Sequence, residues 1–331
     1  MSGLLEREEL LAQLEAAREV GGRLVFLGGE AGVGKTTLVR AFSERAGDVL
    51  RGSCENLAAP TPLGPFLDVG LDPGDPRSVA TAALERGGTL VLEDIHWADD
   101  ASLDVLRVLG RRVDASDAFV VATYRDDEVV GDHPLRVVLG ELASSRGVVR
   151  LTVPRLSLDA VRTLATPSGA DAEALHRLTH GNAFYVTEVL AAGPGELPAT
   201  VRDAVLARVA LLDAAARRLL EATAVVPRRA ELWLLEVVAP DELTRLDECL
   251  ASGVVRTDGD AVAFRHELAR LAVESEVRPD RARSLHGAIL SALESTGDEA
   301  RLAYHAEEAG DTEGVLMHAQ AAARTAFTMP W

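Results

Sequence analysis

Lysine is almost missing from this chain of 331 residues, because only Lys35 is a lysine among 34 basic residues. Cysteine is scarce as well: Cys54 and Cys249 are far apart, so we expect no disulfide framework and a reducing, cytoplasmic setting. No hydrophobic run approaches the length that crosses a membrane, and the acidic, amphipathic N-terminus is unlike a signal peptide. These absences argue against a secreted or membrane-spanning protein.

Aromatic residues and positive charge are also in short supply. Aromatic residues make up 4% of the chain and hydrophobic residues 47%, so we expect cores of leucine, valine and alanine and a helix-rich protein. The 34 basic residues face 52 acidic ones, which gives a formal net charge of −18. An acidic surplus of this size predicts no direct nucleic-acid contact by this chain alone.

The single lysine lies in residues 29–36, GEAGVGKT, which fit the phosphate-binding pattern G-x-x-x-x-G-K-[ST]. Residues 23–28 predict a buried strand before this loop, and residues 37–45 predict a helix after it. Glycines let the backbone approach an anion, and the first amides of a helix point at it. A chance glycine-rich turn is the alternative. The predicted nucleotide contacts are Gly29, Glu30, Ala31, Gly32, Val33, Gly34, Lys35, Thr36 and Thr37.

The loop also suggests which ligand and metal to expect. The compact ammonium of Lys35 would reach the β- and γ-phosphates, and the hydroxyl of Thr36 would ligate Mg²⁺. A guanine-specific N-K-x-D motif needs a second lysine, which the chain lacks. We therefore expect an adenine nucleotide, ATP or ADP, with Mg²⁺.

A second acidic signal follows an apolar run. Residues 89–92, TLVL, predict a buried parallel strand that delivers Glu93 and Asp94 at its carboxyl end. One acid would hold Mg²⁺ and the other would polarise the attacking water, so both are predicted catalytic and metal-binding residues. By position Glu93 takes the metal role and Asp94 the water role, although the order Glu-Asp reverses the commoner one. A strand followed by a solvated acidic turn is the alternative.

A predicted strand at residues 118–123 ends next to Arg125. An arginine at this strand tip would lie beside the γ-phosphate and report its presence through charge-assisted hydrogen bonds. We therefore count Arg125, with Lys35, among the predicted catalytic residues. The alternative is a surface ion pair with Asp126 or Asp127.

The order of elements predicts an α/β fold. Five strands alternating with helices up to residue 153 indicate a parallel sheet with helices on both faces. Helical patterns dominate from Pro154 onward, with Ser157 as a helix N-cap, and a D-G turn near residue 259 predicts a β-hairpin. Helices followed by a hairpin suggest a winged-helix module. The predicted domains are 1–153 (nucleotide binding), 154–195 (helical lid), 196–279 (winged-helix-like) and 280–331 (start of a helical, tetratricopeptide-like region).

Several motifs together resemble a known family. GGEAGVGKTTLVRAF, VLEDIHWAD, TYRDDE, HGNAFYVTEVL, LPATVRDAVLARV and FRHELARLAV are similar to the ATPase core of the large ATP-binding LuxR-type transcriptional regulators. These belong to the STAND signalling NTPases, with Orc-like AAA ATPases as relatives. The resemblance implies a P-loop NTPase sheet of the ASCE type. It also implies that ADP locks a closed monomer, and that an inducer promotes ATP exchange and self-association.

The resemblance also implies roles for residues outside the central motifs. His266 is similar to a winged-helix histidine that touches the ADP β-phosphate, although a helix-cap histidine is an equal alternative. Residues 181–183 match a G-N-P segment near the nucleotide, with alanine in place of proline. Glu6 replaces the usual glycine of a "GRE" segment that touches adenine, and a plain packing helix is as good an interpretation. His96 and Trp97 are expected to pack beside the acidic turn.

Three hypotheses about function follow. The chain is a regulatory switch with slow hydrolysis, an Orc-like motor or loader that turns over ATP to do work, or a nucleotide-binding scaffold without turnover. LuxR-type regulators end in a helix-turn-helix, and no such motif precedes Trp331. We therefore expect a fragment, a natural truncation or a stand-alone member.

Overall fold

A computed structural model describes residues 4–56, 61–71, 74–193 and 197–328, with side chains as far as residue 322. The chain divides into two compact units, residues 1–187 and 188–331. The predicted domain boundary at 195/196 lies outside the described residues, and the four-part division stays a prediction.

The first unit is built on a five-stranded parallel sheet, as the sequence predicts. Its strands follow the order β2-β3-β4-β1-β5, so β4 lies between β1 and β3. The carboxyl ends of parallel strands lie at one edge of a sheet, and the loops after β1, β3 and β4 are therefore neighbours. The strands are β1 (Arg23–Gly28), β2 (Val49–Ser53), β3 (Thr89–Glu93), β4 (Phe119–Thr123) and β5 (Val148–Thr152).

Helices cover both faces of this sheet. Alternate residues of β1 enter two different cores: Leu24 and Phe26 belong to one, and Val25 and Leu27 to the other, all fully buried. A strand buried on both faces explains the continuous apolar run that predicted it. The helices up to residue 192 are α1 (Glu8–Val20), α2 (Lys35–Ala46), α3 (Gly64–Asp68), α4 (Pro76–Arg86), α5 (Asp100–Arg112), α6 (Pro134–Glu141), α7 (Leu158–Ala165), α8 (Ala172–Thr179) and α9 (Ala183–Ala192), and the last of them begins in the first unit and ends in the second.

A capping side chain marks the start of one helix, and a buried aromatic side chain accompanies another. Ser157 caps α7 as predicted, because its hydroxyl accepts from the amide of Ala160. Residues 53–76 are rich in proline and glycine, yet their described part contains α3, where Phe66 is buried in the core. The buried Phe66 ring anchors this short helix, and Pro65 lies in its first turn, where proline is tolerated.

The second unit is helical, with a small antiparallel sheet in the order β6-β8-β7. The predicted hairpin is present, and Gly259 adopts a φ of +64° in its two-residue loop. The two-residue strand β6 was not predicted, and a winged-helix identity stays a prediction. The strands are β6 (Ala230–Glu231), β7 (Val255–Asp258) and β8 (Ala261–Phe264). The helices are α10 (Ala199–Ala210), α11 (Ala214–Ala224), α12 (Leu232–Val238), α13 (Leu246–Ala251), α14 (Glu267–Glu276), α15 (Pro279–Leu293), α16 (Glu299–Ala309) and α17 (Thr312–Thr328).

In the part of the chain that the structure describes, no helix combines the length and the apolar character needed to cross a bilayer.

Candidate functional site

A cavity of about 470 Å³ opens within the first unit, and its lining divides by chemistry. One group consists of the loop at residues 31–37 and the charged side chains of Arg7, Asp94 and Arg125. The other is mainly apolar and comes from three segments: Leu4, Leu5, Leu156, Leu164, Ala183 and Phe184. A polar cradle beside an apolar wall matches a ligand with a charged tail and a flat, largely apolar head.

The loop after β1 has the backbone of an anion cradle. Gly32 and Gly34 have φ values of +77° and +106°, a region that favours glycine. A Cβ on Gly32 would lie 2.9 Å from Oδ1 of Asn182, so space also requires glycine there. The helix α2 starts at Lys35 without a side-chain cap, which leaves its first amides for a ligand. The cradle therefore fits phosphate oxygens.

Lys35 folds back onto this loop. Its ammonium donates to the carbonyl oxygens of Gly29 at 2.5 Å and Glu30 at 2.9 Å, and the residue is buried. Burial lowers the pKa of Lys35, and the nearby carboxylate of Asp127 opposes that shift. A phosphate in the cradle would be a stronger partner than neutral carbonyls. Of the predicted nucleotide contacts in the loop, residues 31–37 line the cavity. Gly29 and Glu30 contribute the carbonyl oxygens that accept from Lys35.

The two predicted acids are separated by the structure. Asp94 lines the cavity, and its amide donates to Oγ1 of Thr123 at 3.0 Å. Glu93 instead pairs with Arg51 of the neighbouring strand at 2.5 Å and is not among the described residues of the cavity wall. Burial raises the pKa of Asp94, which disfavours its ionised form. The division of roles between the two acids stays a prediction.

The cavity offers two oxygen donors that suit Mg²⁺. Thr36 and Asp94 supply a hydroxyl and a carboxylate at the cavity. In the described ranges, the histidine, cysteine and acidic side chains form no group of three or more that could hold a metal ion by itself. Mg²⁺ is usually held by one or two protein oxygens together with water and substrate phosphates. Thr36 and Asp94 match this pattern of coordination.

Arg125 also lines the cavity, where two neighbours fix its guanidinium. It pairs with Glu128 at 2.6 Å and lies 4.6 Å from the centre of the Trp97 ring. The alternative of a surface pair with Asp126 or Asp127 was wrong about the partner. His96 is buried beside the acidic turn, as expected.

Asn182 contacts the P-loop, which sequence reasoning missed. Its amide nitrogen donates to the Glu30 carboxylate at 2.5 Å and to the Ala31 carbonyl at 2.9 Å. The amide of Phe184 donates to the Gly32 carbonyl at 2.9 Å. The segment thus lies against the loop even though Ala183 replaces the proline of the G-N-P pattern. That partial match was the available signal.

The N-terminal segment is attached to the same region. Glu6 has a φ of +59°, a conformation typical of the glycine it replaces. Its carboxylate accepts from the amide of Ser157 at 2.9 Å and from the Ser157 hydroxyl. Arg7 is buried and donates to the carbonyls of Val33 at 3.2 Å and Pro154 at 2.7 Å. The segment therefore joins the phosphate loop to the start of the helices after β5.

His266 belongs to the second unit. It is buried at the N-cap position of α14, and its side chain makes no capping hydrogen bond. Its place at the helix cap agrees with one of the two interpretations, although the side chain does not supply the capping hydrogen bond. Contact with a diphosphate stays a prediction.

Comparison with known proteins agrees with this site. Residues 5–72 match the family model of the AAA ATPase domain, which covers the P-loop and the first two strands. No curated protein sequence matches the chain. The first unit thus combines the five-stranded parallel sheet and the phosphate loop that P-loop NTPases share.

Solved structures resemble the chain at low sequence identity. A Walker-type ATPase of Pyrococcus abyssi is 14% identical with a TM-score of 0.56, over 81% of this chain and 95% of that one. A STAND protein with a tetratricopeptide repeat sensor from Pyrococcus horikoshii is 14% identical with a TM-score of 0.39, over 94% of this chain. This chain spans 49% of the length of that protein. RuvB of Thermotoga maritima is 17% identical with a TM-score of 0.41, over 83% of this chain and 96% of that one.

Proposed function

We propose that this chain is an ATP- and ADP-binding switch NTPase of the STAND type, with slow Mg²⁺-dependent hydrolysis. The observation that carries the proposal is the meeting of Lys35, Thr36, Asp94 and Arg125 around one cavity in the first unit. The order of strands, with β4 between β1 and β3, supports the ASCE type of P-loop sheet.

Each side chain has a distinct task in this proposal. The cradle amides and Lys35 bind the β- and γ-phosphates, and the apolar wall around Phe184 receives the adenine. Thr36 and one of the two acids would hold Mg²⁺, which would neutralise charge on the phosphates. Asp94 orients the attacking water, because it lies at the cavity while Glu93 is held by Arg51. Arg125 contacts the terminal phosphate.

The regulatory role extends this chemistry. We propose that ADP and ATP favour different conformations, that an unidentified inducer promotes exchange, and that the ATP state self-associates. A role in a LuxR-type transcriptional regulator in the cytoplasm rests on the motif resemblance alone. Catalysis without an arginine supplied by another protein is slow in switch NTPases. We therefore expect turnover well below about one per second.

Phosphate release from the purified chain tests the proposal. We expect slow, Mg²⁺-dependent release that Asp94→Asn reduces by about 100-fold or more, while ATP binding remains. Glu93→Gln is the variant to compare with Asp94→Asn. The acid whose substitution weakens Mg²⁺ affinity more is the metal ligand. Sustained fast turnover would favour the motor. Tight binding with no release, unchanged by either variant, would favour the scaffold.

A further inference from the structure

We propose that Glu128 sets the preference between ATP and ADP by competing with the terminal phosphate for Arg125. This inference rests on the proposed function, since it assigns a specificity-determining role at the same cavity. Glu128 makes no proposed contact with the nucleotide, so it acts through Arg125 as a positioning residue.

Arg125 is the group for which the two anions compete. It lines the cavity with Lys35 and Asp94, and it is close enough to both to influence their pKa values. Its ion pair with Glu128 is 2.6 Å long, and the two side chains are only 23% and 19% exposed. A pair with that much shielding is screened by water less than a surface pair. The guanidinium therefore has a carboxylate partner before any phosphate arrives.

Two further contacts hold this arrangement in place. The Trp97 ring lies 4.6 Å from the guanidinium carbon and restricts the plane of the fork. Nε2 of His96, a residue only 4% exposed, lies 3.4 Å from the second carboxylate oxygen of Glu128. Glu128 thus has a second polar neighbour besides Arg125.

The consequence differs between the two nucleotides. Carboxylate and phosphate are both acceptors that match the guanidinium fork, so a γ-phosphate must share or displace Glu128 to bind Arg125. ADP lacks that phosphate and does not need Arg125. Glu128 therefore weakens the binding of ATP and leaves the binding of ADP almost unchanged, which biases the chain toward its ADP state.

Calorimetry with Mg²⁺, ADP and a non-hydrolysable ATP analogue tests the inference. In Glu128→Gln, which keeps the shape and removes the charge, we expect the Kd of the ATP analogue to fall about three- to tenfold, because a neutral acceptor holds Arg125 less tightly. The Kd of ADP should stay within about twofold. Glu141→Gln is the matched control, since it removes one exposed charge that pairs with Arg107 elsewhere in the first unit.

The Arg125→Ala background shows whether the effect passes through that side chain. There, adding Glu128→Gln should leave the ratio of the two Kd values unchanged. If Glu128→Gln does not fold, Glu128→Asp, which withdraws the charge by one methylene, should shift the ratio in the same direction by less.

The inference is overturned if the ratio does not move in a folded Glu128 variant, if it moves equally in Glu141→Gln, or if it moves without Arg125. Failure of the wild-type chain to bind either nucleotide would instead remove the proposed function.

Discussion

The side-chain amide of Asn182 donates a 2.5 Å hydrogen bond to the carboxylate of Glu30, although 152 residues separate them in the chain. Asn182 is fully buried and also donates to the carbonyl of Ala31. The other carboxylate oxygen of Glu30 accepts from Arg155 at 2.5 Å. Asn182 and Arg155, which both follow β5 in the chain, therefore bind Glu30 and Ala31 of the phosphate loop.

Removing this bond should weaken nucleotide binding. We expect Asn182→Ala and Glu30→Ala each to weaken ADP binding by about tenfold, since a lost hydrogen bond to a charged group costs about 1.5 kcal/mol or more. The double variant should cost less than the sum of the two single variants, because both single variants lose the bond that joins these residues. Calorimetric titration of ADP into the four proteins measures the cycle. Glu173→Ala, an exposed acid paired with Arg162, is the control, and additive losses would contradict direct coupling.

Substitution of Glu6 by alanine and by glycine tests its glycine-like backbone conformation. Both alanine and glycine at position 6 lose the carboxylate that accepts from Ser157. At a φ of +59° alanine keeps the steric strain of a Cβ, whereas glycine removes it. Glu6→Gly should therefore be more stable than Glu6→Ala by about 1 kcal/mol in urea unfolding.

Gln13 gives the matched comparison, because it is an exposed residue in the middle of α1. There the order should reverse, with glycine less stable than alanine by about 1 kcal/mol. The same order at both positions would show that the left-handed conformation of Glu6 is absent in solution.

A buried histidine pair should make the second unit sensitive to acid. Nδ1 of His286 lies 2.9 Å from Nδ1 of His305, and one ring must be neutral to accept this bond. Burial lowers the pKa of His286 to about 4, and burial together with His286 lowers the pKa of His305 to about 3. In the unfolded chain both histidines have the ordinary pKa of about 6.5. Below about that pH the unfolded chain therefore binds more protons than the folded chain. Stability should fall as the pH drops from about 6.5 toward 4.

Hydrogen exchange measures this effect by region. After correction for intrinsic rates, the amides of α15 and α16 should lose protection between pH 7 and pH 5 faster than those of α5 in the first unit. In His305→Gln the pH dependence of this loss should be smaller. Equal pH dependence in the variant and the wild-type chain would exclude the pair as its cause.

The sequence predicted the sheet and the phosphate loop because both depend on local patterns. The five strands are short apolar runs, and the glycines with Lys35 have fixed spacing. Asp94 and Arg125 could be placed at the cavity edge because parallel strands deliver their following residues to one side.

The remaining features depend on contacts between distant residues. No local pattern shows that Asn182 reaches Glu30 or that Ser157 binds Glu6, because each bond joins segments about 150 residues apart. The pairing of Glu93 with Arg51 depends on the register of β2 and β3, which the sequence leaves open. Strand β6 has only two residues and carries too little pattern to predict.

Adenine nucleotide binding to the folded chain, with and without Lys35, tests the central claim most directly. In calorimetry with Mg²⁺ we predict that the wild-type chain binds ADP and an ATP analogue. Lys35→Ala should weaken both by about 100-fold or more, because it removes charge-assisted bonds to the phosphates. A folded wild-type chain that binds no adenine nucleotide, or a Lys35→Ala variant that binds as tightly as the wild type, would contradict the account.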